Sequence, residues 1–87
     1  MDIDARTLDQ LGQRVEDARA YLHIDEKTAE LSALDAEIAS PGFWDDTAHA
    51  QAASKRAGNL RDTLRSYEEA AQLLADAQTA FELAGED

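Results

Sequence analysis

Leu8, Leu11, Val15, Ala18 and Leu22 follow one another at steps of three, four, three and four residues. That alternation draws one apolar stripe down a helix, which the pattern places over about residues 4–22. Gln10, Gln13, Arg14, Glu16 and Asp17 lie off the stripe. The phase breaks at His23-Ile24. Asp25 is a residue type that caps helix N-termini, and Glu26 suits the first turn, so a second helix is expected over about residues 25–39. Leu31, Leu34 and Ile38 would face inward. Pro41 disfavours helical geometry at Ser40, and Gly42 follows, which marks the stop.

The third segment is the most regular. Asp45-Asp46-Thr47 opens it, with carboxylates suited to the unsatisfied N–H groups of a helix start. Ala50, Ala53, Ala57, Leu60, Leu64, Tyr67, Ala71, Leu74, Gln78 and Phe81 then alternate steps of three and four. This is a heptad seam, and it predicts a helix roughly 55–60 Å long, ending at Gly85. Gly58 lies beside the seam, where it allows close approach or a slight bend.

The pattern therefore predicts an all-α fold: three helices in an antiparallel, coiled-coil-like bundle, forming one domain over residues 1–87. Short connections make consecutive helices antiparallel neighbours. The third helix is about twice as long as the second. Unless the first helix packs on its far half, that half needs a further helix, another domain or a second copy of the chain. A homodimer through the long helix is accordingly expected as a risk. Hydrophobic residues make up 44% of the 87, but many are alanine, which favours helix and buries little area. The core should be narrow.

Charge sets the choice of partner. Nineteen acidic side chains against eight basic give −11, which repels phosphate backbones and disfavours direct nucleic-acid binding. A basic protein surface is the natural partner. Cysteine is absent, so no disulfide framework or thiolate chemistry is expected. No apolar run reaches membrane-spanning length. The N-terminus lacks the basic and apolar regions of a signal peptide, making a cytoplasmic location the default.

Candidate chemistry is sparse. His23 and His49 each stand near carboxylates, but no histidine pair has the helical spacing of a zinc site. No two glycines lie close together as a phosphate loop requires, and no serine has an adjacent base. Glu68-Glu69 reads as a solvated helix face. No catalytic, cofactor-binding or metal residue is expected, and no enzyme activity. Lys55, Arg56, Arg61 and Arg65 form a local basic cluster, with Arg61 and Arg65 four apart on one face. Phe43 and Trp44, beside a helix start, either cover the bundle end or anchor a partner. Phe43, Trp44, Arg61 and Arg65 are thus the candidate partner contacts. A Trp44 ring in the core would make Trp44→Ala cost roughly 3–5 kcal/mol; an exposed docking anchor would leave thermal stability unchanged.

Tyr21-Leu22-His23-Ile24-Asp25-Glu26-Lys27, Leu31 through Ile38, and Ser40-Pro41-Gly42-Phe43-Trp44-Asp45-Asp46 together resemble the N-terminal domain of the bacterial peptide chain release factor 2 family. The Pro-x-aromatic-Trp connector is the most specific part, and it favours this family over release factor 1; a fragment related to a rescue factor is a further alternative. Ala50-Gln51, Tyr67-Glu68-Glu69 and Phe81-Glu82-Leu83-Ala84 extend the resemblance over essentially the whole chain. It implies a non-catalytic segment of a class I release factor that ends translation at UGA and UAA. In that family codon reading belongs to a later domain with Ser-Pro-Phe, and hydrolysis to a Gly-Gly-Gln. Ser40-Pro41-Gly42-Phe43 is not the former, and no Gly-Gly pair is present for the latter. The implied partners are the ribosome, through the parent protein and towards the stalk base, and the class II release-factor GTPase. Periodicity alone supports a free-standing coiled-coil adaptor or dimerisation module equally well.

Overall fold

The computed structural model describes residues 4–85. It is all-α, with three helices and one short 3₁₀ turn: α1 (Ala5–Tyr21), α2 (Ile24–Ile38), the 3₁₀ turn (Phe43–Asp45) and the long α3 (Thr47–Ala84). The fold class and the long third helix are as the apolar pattern predicts. Among the described residues no helix is long and apolar enough to cross a membrane.

Helix ends follow local chemistry. Asp4 caps α1 by accepting the Thr7 N–H at 2.8 Å, and that bond to the ionised form holds the Asp4 carboxyl below its usual 3.8. At the other end the Leu22 N–H donates to the Ala18 carbonyl at 2.8 Å. His23 then adopts left-handed geometry, φ 54° and ψ 49°, and α2 begins at the next residue. The expected capping role of Asp25 is corrected. His23 takes the cap position with no side-chain cap bond, and Asp25 and Glu26 fall inside the first turn. Because a single left-handed residue separates the two helices, helical geometry resumes too early for Asp25 to stand outside it.

The chain divides into two compact units, residues 23–65 and residues 1–22 with 66–87. In the first, α2 packs against the leading half of α3. Phe43, Ala50 and Ala53 form a buried cluster with Leu34 and Ile38 packed against it. The small alanines let larger α2 side chains approach the α3 backbone. Ile24, Ala57, Leu60 and Leu64 are also buried, Leu60 to 1% exposure. Full burial of such a leucine contributes about 1.5–3 kcal/mol. Glu37 meets His49, and Glu30, seven residues earlier, meets Arg56, seven residues later, so the two helices run antiparallel.

In the second unit α1 lies along the trailing half of α3. The sequence had left this far half short of a partner; α1 supplies one, incompletely. Leu8 is buried, but Val15, Ala18, Tyr67, Ala71, Leu74 and Gln78 are only half-buried. Gly12 sits opposite Gln78, where an added Cβ would meet its Nε2 at 3.5 Å.

Candidate interaction surface

The connector between α2 and α3 is built from its sequence. Ser40 Oγ donates to the Ala36 carbonyl at 3.0 Å and ends α2. The Phe43 N–H donates to the Ser40 carbonyl at 3.3 Å, closing a four-residue turn with Pro41 and Gly42 at its centre. Gly42 has φ 81° and ψ 0°, the third-position geometry of a type II turn, while Pro41 suits the second position. A Cβ at Gly42 would also stand 3.2 Å from Asp45 Oδ2.

This turn gives the two aromatics different surroundings. Phe43 enters the core at 7% exposure; Trp44 remains 61% exposed. Their rings meet edge to face, centroids 5.2 Å apart and planes at 88°. Of the two readings of this pair, covering the bundle end fits Phe43, whose ring is buried, while Trp44 stays largely in solvent. A single step along a 3₁₀ turn rotates the side chain by about 120°, so the pair cannot share one pocket.

Asp46 starts α3 by accepting the His49 N–H on Oδ1 at 3.1 Å. The His49 ring lies 5.9 Å from the Phe43 ring, and its Nε2 is hydrogen-bonded to Glu37 Oε1. That bond, and then the Glu37 charge, raise the imidazole above its usual 6.5. Arg56 grips Glu30 with two bonds, Nε at 2.7 Å and Nη2 at 2.9 Å. The pair lowers the Glu30 carboxyl and raises the guanidinium, chiefly through those bonds.

The two candidate arginines have different surroundings. Arg61 Nη2 donates to Asp35 Oδ1 at 2.8 Å, across to α2. Arg65 bonds Asp62 on its own helix. Each is compensated by a carboxylate. Among the described residues no group of three or more His, Asp or Glu side chains gathers as for a metal.

One feature escaped the seam pattern. Leu8, Leu11, Arg14, Val15 and Ala18 on α1, with Tyr67, Ala70, Leu73, Leu74 and Ala77 on α3, line an open apolar groove of about 420 Å³. Leu73 is 71% exposed and Leu11 38%. The signal was a second apolar row beside the seam: Ala70, Leu73 and Ala77, at steps of three and four.

Fold and surface define a small all-α module of paired helices, with an aromatic connector at one turn and an open apolar groove along one pair. Comparison with known proteins makes this more specific. Peptide chain release factor 2 of Bordetella avium is 36% identical over 83 residues, 95% of this chain and 23% of that protein. The protein of the same name from Petrotoga mobilis is 31% identical over 80 residues, 92% of this chain and 22% of the relative. That of Saccharopolyspora erythraea is 28% identical over 83 residues, again 95% and 23%. No family model matches the chain, and no solved structure matches it significantly. Over nearly its whole length, the chain is similar to proteins named peptide chain release factor 2. It spans less than a quarter of the length of these curated relatives.

Proposed function

We propose that this chain is the N-terminal interaction domain of a translation termination factor, and is itself non-catalytic. The observation that carries the reading is homology to release factor 2 across 95% of the chain in the Bordetella avium relative. In this reading the parent protein directs release at UGA and UAA in the cytoplasm. The domain docks towards the base of the ribosomal stalk or the class II release-factor GTPase. Net charge of −11 favours basic protein over rRNA as the surface met. Trp44 is the proposed anchor. An exposed indole held by a buried neighbour is a rigid, amphipathic contact of the kind that dominates interfaces. Arg65 stands as a rim contact, and Arg61 is already engaged by Asp35.

The test is competition in a reconstituted release assay. Excess chain should slow GTPase-dependent recycling of release factor 2 on UGA-programmed ribosomes, without releasing peptide itself. Trp44→Ala should relieve that inhibition. Absence of binding to both ribosome and GTPase would sink the docking reading. The open groove favours a second reading, a free-standing helical adaptor, which predicts no effect on termination.

A further inference from the structure

The connector between α2 and α3 sets an exposed aromatic beside an unpaired carboxylate. Trp44 is 61% exposed, and the buried Phe43 ring meets it edge to face, centroids 5.2 Å apart. Residues 28–54 contain no lysine or arginine, and five acidic side chains: Glu30, Asp35, Glu37, Asp45 and Asp46. Glu30 and Asp35 bind Arg56 and Arg61, Glu37 meets His49, and Asp46 accepts the His49 N–H. Asp45 differs. Among the described residues, its carboxylate makes no hydrogen bond or ion pair. Its Oδ2 lies over the turn, 3.2 Å from where a Cβ at Gly42 would stand, and the residue is exposed.

We infer that Trp44 and Asp45 together form a docking point for a cationic side chain, an arginine on an exposed segment of a partner protein. The inference rests on the reading of Trp44 as an anchor and names the chemistry that anchor takes. The face of an indole is the negative part of its quadrupole, so it attracts a cation, and more strongly than a tyrosine or phenylalanine ring does. Asp45, the next residue, adds a full negative charge that has no ion-pair partner among the described residues. Successive side chains of a 3₁₀ turn point about 120° apart, so with Phe43 directed inward the other two both open to solvent. One arginine reaching over the outside of the turn presents its plane to the indole and its N–H edge to the carboxylate. Arginine suits the pair better than lysine. Its guanidinium is planar, stacks on aromatic faces, is more weakly hydrated than an ammonium, and forks onto carboxylates. A nucleic-acid base would also stack on the indole, but its phosphates would then meet Asp45 and Asp46. The charge of the connector therefore favours protein over nucleic acid.

Trp44 is the sole tryptophan of the chain, so its fluorescence reports on this point alone. The probe is a short peptide, acetyl-Gly-Arg-Gly-Arg-Gly-amide, titrated at about 0.01 M salt, where screening extends over about 30 Å. It should shift or quench the emission saturably. The lysine counterpart should bind at least about threefold more weakly, and the citrulline counterpart, which keeps the shape and lacks the charge, should not bind. Asp45→Asn should weaken the arginine peptide about two- to fivefold. Glu68→Gln, which removes the same charge from the trailing half of α3, should leave it unchanged. Both residues are exposed, so helix content should be the same in both variants. Equal losses at Asp45 and Glu68 overturn the proposal, since net charge alone would then account for binding. A uridine oligonucleotide that quenches as strongly as the arginine peptide also overturns it. The docking reading fails separately. A chain that binds the arginine peptide through Asp45, but neither ribosome nor GTPase, sinks that reading and supports this one. A chain that still competes in the release assay while its Trp44 emission ignores the arginine peptide overturns this inference and spares the docking.

Discussion

Two stretches of one helix carry the same seam and fare differently. In residues 23–65 the seam positions Ala50, Ala53, Ala57, Leu60 and Leu64 are all buried; from Tyr67 to Gln78 they are half-buried, and Phe81 is 40% exposed. Among the described residues, seven of the eight buried hydrophobic residues belong to the first unit, and Leu8 belongs to the second. Of the six exposed large hydrophobics among the described residues, five, Leu11, Tyr21, Leu73, Phe81 and Leu83, belong to the second. Periodicity thus sets the direction in which a side chain points, while the neighbour decides whether anything covers it. In the first unit the partner helix is joined through Phe43, which plugs the end of the pair, and His49, Arg56 and Arg61 reach across to α2. In the second, Gln13–Asp17 and Gln72–Asp76 bond along their own helices.

The sharpest way to break this comparison is to remove core volume from each unit. Phe43→Ala and Leu60→Ala should each destabilise the fold by about 3–5 kcal/mol, whereas Leu73→Ala should stay within about 0.5 kcal/mol, read by thermal and urea denaturation. Equal losses at Leu60 and Leu73 would show that the second unit is as well covered as the first. Next in size is the connector. Gly42→Ala forces a Cβ into left-handed geometry against Asp45 and should cost about 1–2 kcal/mol. Asp46→Ala removes the α3 cap and should cost about 1 kcal/mol, since the His49 N–H loses its acceptor.

A smaller, pH-dependent effect belongs to His49. Its pKa in the folded chain is raised by Glu37, so its stabilising contribution is fully present below the unfolded value of 6.5 and is lost as pH rises through the elevated folded one. Denaturation midpoints should therefore fall slightly with rising pH from just above 6.5, and Glu37→Gln should flatten that slope. The smallest change is expected from Trp44→Ala, within about 0.5 kcal/mol, because the ring is largely in solvent. A loss of several kcal/mol there would return Trp44 to the core and weaken its assignment as an anchor.

The connector shows how much of the surface was readable. Pro41 and Gly42 fix a turn that only glycine completes without strain, and Asp46 carries a cap that its residue type announces. Which aromatic would be buried was not legible, because Phe43 and Trp44 are neighbouring aromatics and only the 3₁₀ step separates their directions. Arg61 and Arg65 look equivalent at a spacing of four. They part because an Asp35 from another helix comes within reach of one of them. The groove was half legible, in the apolar row at Ala70, Leu73 and Ala77, which reads as ordinary helix surface until α1 lies beside it.

By itself the sequence determined the three helices, the long seam, the turn at Pro41-Gly42 and the kinship with release factor 2. All of these depend on local backbone chemistry, on period, or on a motif of neighbouring residues. Tertiary structure alone decided that α1 pairs with the trailing half of α3, that Trp44 faces solvent, and that Leu73 is left uncovered. These depend on which surfaces come into contact across the fold. Burial is a property of such contacts, and a heptad pattern specifies only the face that is offered to them.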